Sequence, residues 1–133
     1  IREEDKDRFK TLSDIDRPGV KIGVNPGGTN EKFVRANIKQ AEIVVIPKNL
    51  DIPDKIATGE VDVMITDNVE AMLVAAKRTE LHAVSPDRTF TRDDFGYMLQ
   101  RDDPAFLNWL NLWIHQMHEK GEFEKLKAKW ITG

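Results

Sequence analysis

Three short β-branched runs, each closed by a turn and followed by a helical stripe, restrict what this chain can fold into. Val20 to Val24 lies between Pro18-Gly19 and Pro26-Gly27-Gly28, which predicts a strand entering a tight turn. Ile43-Val44-Val45-Ile46 is continuously apolar and stops at Pro47, and Val61-Asp62-Val63-Met64-Ile65 runs into a polar group. Apolar runs of this length fit strands covered on both faces, as in a mostly parallel sheet. A helix is predicted from about Asn30, Ile52, Ile56 and Ala57 have helical spacing, and Val69, Met72, Leu73 and Ala76 fall at i, i+3, i+4 and i+7. This alternation predicts an α/β fold with ligand sites at the C-terminal ends of its strands. Leu81 to Val84 and Gly96 to Leu99 are weaker strand candidates.

After Pro104, which suits a first helical turn, Phe106, Leu110, Trp113, Ile114 and Met117 form an amphipathic stripe that Gly121 ends. A second helix is predicted from near Glu122, with Phe123, Leu126 and Trp130 on one face. Eight of the ten aromatic residues follow residue 89, where at most two strands are available to receive them. These helices call for a surface beyond the chain itself.

Composition removes several function classes. Twenty Lys and Arg against 23 Asp and Glu, interspersed, give a net charge of -3, so no basic field exists to hold a phosphate backbone. Nucleic acid is excluded as an expected partner, and no apolar run approaches the ~20 residues of a membrane span. The absence of cysteine removes disulfides, thiolate zinc sites and a cysteine nucleophile. His115 and His118 lack a third metal-ligand signal, His82 reads as structural, and no metal site is expected. The charge runs at 2–8 and 87–94 read as solvated surface. A start at Ile1 inside the first run suggests a piece of a longer protein.

Two strand ends carry chemistry. Asn25-Pro26-Gly27-Gly28-Thr29-Asn30 can bring backbone close to a ligand and hold a carboxylate on free helical N–H groups, with Thr29 and Asn30 beside it. It is equally an ordinary turn with a Thr or Asn N-cap. No Gly-Lys-Ser/Thr follows, which disfavours a nucleotide. In Thr66-Asp67-Asn68-Val69-Glu70, Asp67 and Glu70 have capping-box spacing, and local sequence favours that role. Otherwise the two carboxylates stand at a cleft, one for an ammonium group and one to carry a proton. Next to Val69, Glu70 is expected away from the centre of the buried stripe.

The stretches Val24 to Phe33 and Gly59 to Ala71 resemble the cyclohexadienyl dehydratases within the periplasmic amino-acid-binding proteins, above all at Asn25 and Glu70. The resemblance runs over almost the whole chain. It implies a periplasmic-binding-protein-like type II fold of two α/β lobes, with residues 1–11 as an inter-lobe lead-in and 12–88 as the second lobe. Residues 89–133 would be a return strand and C-terminal helices that pack on the first lobe, most of which lies outside this chain together with a ligand-clamping arginine. A homo-oligomer formed by exchange of the C-terminal helices, or pairing with that first lobe, would cover the aromatic helices. The implied location is the periplasm and the implied ligand a small carboxylate or amino acid.

By the same resemblance Glu70 is the general acid. Asn25, Gly28, Thr29, Asn30 and Thr66 surround the substrate, and Asp67 lies near the position that holds an α-amino group. The implied reaction is loss of water and carbon dioxide from prephenate or L-arogenate, without cofactor or metal. It requires the Glu70 carboxyl to keep its proton in an apolar, closed cleft. The alternative is a non-catalytic amino-acid-binding receptor sharing the same turns.

Overall fold

The computed structural model describes residues 1–94 and 96–132, with only the backbone of Thr132. The chain divides into two compact units, residues 1–89 and 90–133. In the first, β1 (Lys21–Val24), β2 (Glu42–Val45) and β3 (Val63–Met64) form a parallel sheet in the order β2-β1-β3. α1 (Leu12–Ile15) precedes β1, α2 (Thr29–Asn37) joins β1 to β2, α3 (Ile52–Ala57) joins β2 to β3, and α4 (Asn68–Lys77) follows β3.

Side chains alternate across the pleat and so divide the core between the two sheet faces. Ile22, Val24 and Val63 join Val34 of α2, Ile15 of α1 and Phe9 on one face. On the other, Ile52 and Ile56 of α3 meet Ile46, Val61 and Leu81, with Val44, Met64 and Val74 of α4 against them. The runs at β1 and β3 are covered as the sequence predicts, whereas β2 is an edge strand, with Ile43 and Val44 half-buried and Val45 47% exposed.

Gly23 sits at the centre of this second layer. A Cβ there would lie 3.0 Å from Ile52 Cγ2, 3.1 Å from Ile46 Cδ1 and 3.3 Å from Val61 Cγ2. All three neighbours are branched and buried to within a few per cent of full burial, so none has space to withdraw. Gly23→Ala is expected to cost about 1–3 kcal/mol by overpacking, read as a lower urea midpoint. An unchanged midpoint would mean that α3 shifts freely over β1.

Two expectations fail here. The charged run at 2–8 is solvated only in part: Glu4, Lys6, Asp7 and Arg8 are exposed, but Asp5 is 8% exposed and Arg2 is half-buried. Arg2 Nη1 donates to Ile56 O and Val61 O at 3.1 and 3.2 Å, and Nη2 meets Asp62 Oδ1 at 2.8 Å. The run holds the first residues against the end of α3. The stripe on α4 is also displaced: Val74 joins the core, whereas Val69 is 45% exposed and Ala76 is exposed.

Arg2 and Leu81 form an isolated antiparallel bridge, with Glu3 N donating to Glu80 O and His82 N to Ile1 O. The predicted strand Leu81 to Val84 reduces to that bridge, and His82 Nδ1 lies 3.0 Å from Glu3 Oε2. Among the described residues no strand follows β3, so the expected strand at Gly96 to Leu99 and the return strand within 89–133 are not seen.

In the second unit, α5 (Pro104–Glu119) is capped by the Asp103 side chain, which accepts from Phe106 N at 2.9 Å. Gly121, at φ +66°, turns the chain into α6 (Glu122–Lys127). Trp113 and His118 close on Phe123, with ring centroids at 6.1 and 4.7 Å. Phe106, Trp109, Leu112 and Trp130 are exposed. No described helix is long and apolar enough to cross a membrane.

Candidate functional site

In the strand order 2-1-3, the crevice of an open parallel sheet lies between the C-terminal ends of β1 and β3, where the following helices leave in different directions. Both sequence motifs end there. After β1, Gly27 takes φ +86°, a conformation that glycine enters without cost, and Gly28 becomes the N-cap of α2. The expected Thr or Asn cap does not form, and no side chain caps α2 at Gly28. The first amides of the helix are left for water or an anionic group.

Glu31, at the third position of α2, braces the turn from behind. Its Oε2 accepts from the Gly27 amide at 2.7 Å and its Oε1 from Arg35 Nε at 2.9 Å. The Gly27 amide first, and then Arg35, hold the Glu31 carboxyl below the usual carboxylate range. Asn25 is half-buried, and its amide nitrogen lies 3.8 Å from where a Gly28 Cβ would stand.

After β3, Asp67 occupies the N-cap of α4 but makes no side-chain cap bond. The capping box that the spacing favoured is absent because Glu70 turns elsewhere. Asn49 Nδ2 donates to its Oε1 at 2.7 Å, and the Thr66 hydroxyl donates to its Oε2. Asn30 Nδ2 reaches Thr66 Oγ1 at 3.4 Å, so α2 and β3 are linked across the crevice. Glu70 is half-buried on the same side of α4 as Ala71 and Val74, contrary to its expected place off the stripe.

The structure thus joins Asn30, Thr66 and Glu70 and sets Asn25 beside Gly28. Thr29 and Asp67 are exposed, outside the hydrogen-bonded group. Asn49 was missed. Its signal is the third strand end, where Pro47 stops β2 and the polar turn Lys48-Asn49 follows. A cleft opens beside Glu70 between α3 and α4, floored by Ile56, Met64, Val74 and Leu81 and rimmed by Thr66 and His82. Among the described residues no cluster of three or more His, Cys, Asp or Glu could hold a metal ion.

A parallel sheet with glycine-rich and acidic turns at one strand crevice is the architecture of a small-ligand-binding lobe. The chain belongs to the bacterial extracellular solute-binding proteins, family 3, whose model matches residues 25–133. Within that family it is similar to the cyclohexadienyl dehydratase of Pseudomonas aeruginosa, with 44% identity over 93% of this chain and 46% of the relative.

Two solved structures extend the comparison. An ancestral cyclohexadienyl dehydratase is 49% identical, with a TM-score of 0.66 over all of this chain and 55% of that one. An ancestral cationic amino acid solute-binding protein is 27% identical, with a TM-score of 0.83 over 98% of this chain and 56% of that one. The chain spans about half the length of these relatives. The fold is periplasmic-binding-protein-like.

Proposed function

We propose that this chain is the second lobe and C-terminal segment of a periplasmic cyclohexadienyl dehydratase. The observation that carries the reading is the Glu70 carboxyl, drawn by Asn49 and Thr66 to the β1–β3 crevice instead of capping its own helix. The 44% identity to the Pseudomonas aeruginosa enzyme supports it. Asn25, Gly28, Thr29 and Asn30 hold a carboxylate of prephenate or L-arogenate at the uncapped start of α2, and Thr66 borders it. Asp67 meets the amino group when arogenate is bound.

Glu70 gives its proton to the ring hydroxyl. The carbon–oxygen bond breaks and water leaves. The ring carboxylate departs as carbon dioxide, and its bonding electrons complete the aromatic ring. Prephenate plus one proton becomes phenylpyruvate, carbon dioxide and water, and Glu70 regains its proton from solvent. The apolar floor beside Glu70 limits water around the acid. No step needs a cofactor or metal.

A second reading, a non-catalytic amino-acid receptor, is favoured by the TM-score of 0.83 to the ancestral cationic amino acid solute-binding protein. The protein carrying both lobes separates the two. Formation of phenylpyruvate from prephenate, or of phenylalanine from arogenate, supports the dehydratase. Micromolar or tighter amino-acid binding with neither product formed supports the receptor and overturns the enzyme.

A further inference from the structure

Asn49 lies in the turn between β2 and α3, 21 residues from Glu70 in sequence, yet it holds one of the Glu70 carboxyl oxygens. The geometry points to Asn49 as a positioning residue that decides which Glu70 oxygen carries the transferable proton, an inference that rests on Glu70 being the general acid. An amide NH2 donates and cannot accept, so Oε1, facing Asn49 Nδ2 at 2.7 Å, is kept as an acceptor. The other oxygen faces the Thr66 hydroxyl, which both donates and accepts. When the carboxyl carries the transferable proton, Oε2 is therefore the oxygen that can hold it, with the Thr66 hydroxyl turned to accept.

In the reaction the Oε2–H bond breaks as the new bond to the leaving oxygen forms. The Thr66 O–H then turns toward the bare Oε2, while Asn30 continues to donate to Thr66 Oγ1. Asn49 keeps its hydrogen bond throughout, so the carboxyl does not rotate between its two states. A preset carboxyl avoids reorganisation during proton transfer.

The charged groups around this pair are few and placed. Lys48 and Asp51 flank Asn49 and are exposed, as is Asp67 at the head of α4. Glu31 on α2 is committed to the Gly27 amide and Arg35. His82, on the rim of the same cleft, faces Glu3 at 3.0 Å. None of them reaches Glu70 through a hydrogen bond, whereas Asn49 does.

Asn49→Asp, nearly isosteric, and Asn49→Ala test the assignment in the protein carrying both lobes. Asn49→Asp sets two carboxyls to share one proton, which raises the value at which the pair loses it. The alkaline limb of the kcat/KM profile should move up by about one pH unit or more. For Asn49→Ala, kcat should fall about tenfold or more with KM within about threefold, as expected when only positioning for the transition state is lost. Unchanged kcat and an unchanged limb in both variants, with wild-type turnover intact, would overturn the role of Asn49 and leave Glu70 as the acid.

A wild type without turnover would instead overturn the acid assignment. The Asn49 contact is then read from the 13C carboxyl signal of Glu70, assigned by its loss in Glu70→Gln. A titration midpoint raised in Asn49→Asp supports the contact, and an unmoved midpoint removes it.

Discussion

Glu70→Gln in the protein carrying both lobes is expected to lower prephenate turnover by about 10²- to 10⁴-fold, the usual worth of a positioned general acid. Ligand binding should stay within a few-fold of wild type. The substitution suits this test because the site can absorb it. The amide oxygen can take the place of Oε1 and accept from Asn49, while the amide nitrogen donates to Thr66 Oγ1, whose hydroxyl hydrogen rotates away. Shape and hydrogen-bond count are preserved and only the transferable proton is lost.

Rate and affinity are therefore expected to separate. A variant that folds, binds and keeps its turnover would remove Glu70 from the chemistry. The capping-box role would have predicted a stability loss with activity kept, but no side chain caps α4 at Asp67. Measuring turnover and the thermal midpoint on one preparation distinguishes a lost proton donor from a weakened lobe.

The strands and their order of appearance were legible because short runs rich in β-branched residues stop at Pro47 or at a polar turn, although the one unbroken run, β2, is an edge strand with Val45 exposed. Pro104 and Gly121 marked the ends of α5 equally well, since a missing N–H and a positive φ are written in the residue type. The face of α4 was not legible. Counting Glu70 as polar moved the apparent stripe to Val69 and Met72, whereas the helix turns Glu70, Ala71 and Val74 toward the cleft. A carboxyl satisfied by Asn49 and Thr66 occupies an inward position that hydropathy assigns to an apolar side chain.

The capping box misled for a related reason. Its spacing specifies only that Asp67 and Glu70 are three apart, and the competing donors come from residues distant in sequence. Asn49 and Asn30 reach Glu70 and Thr66 over separations of 21 and 36 residues. No local pattern contains such information, which is why the motifs were visible and the network joining them was not. Arg2 shows the same limit, since the groups to which it donates hydrogen bonds, Ile56 O, Val61 O and Asp62, lie more than 50 residues away.

Arg2→Met is expected to destabilise the first unit by about 3 kcal/mol, within the range for removing one partner of a desolvated ion pair. α3 ends at a left-handed Gly59, and the Arg2 guanidinium fills the resulting turn. It donates to Ile56 O and Val61 O, pairs with Asp62, and lies 2.8 Å from Asp5 Oδ2 off the line of a hydrogen bond. Methionine retains the stem but leaves two carbonyls and two shielded carboxylates without that partner. Lysine, a single point charge, should recover only part of the loss because it cannot reach both carbonyls and Asp62 at once.

The pH dependence identifies the cause. Burial pushes the Asp62 carboxyl up, but hydrogen bonds from Arg2 and the Lys21 amide outweigh it and hold the group below the usual carboxylate range. A depressed carboxylate adds stability that is complete above its unfolded value, about 3.9, and disappears as pH falls through the folded value. Without Arg2 the burial effect gains weight, Asp62 rises, and protonation relieves the unpaired charge. The difference between wild type and Arg2→Met should therefore be largest near pH 7 and shrink below about pH 4. Urea unfolding at pH 7 and pH 3 measures it, and an equal difference at both would assign the loss to packing of the stem instead of charge.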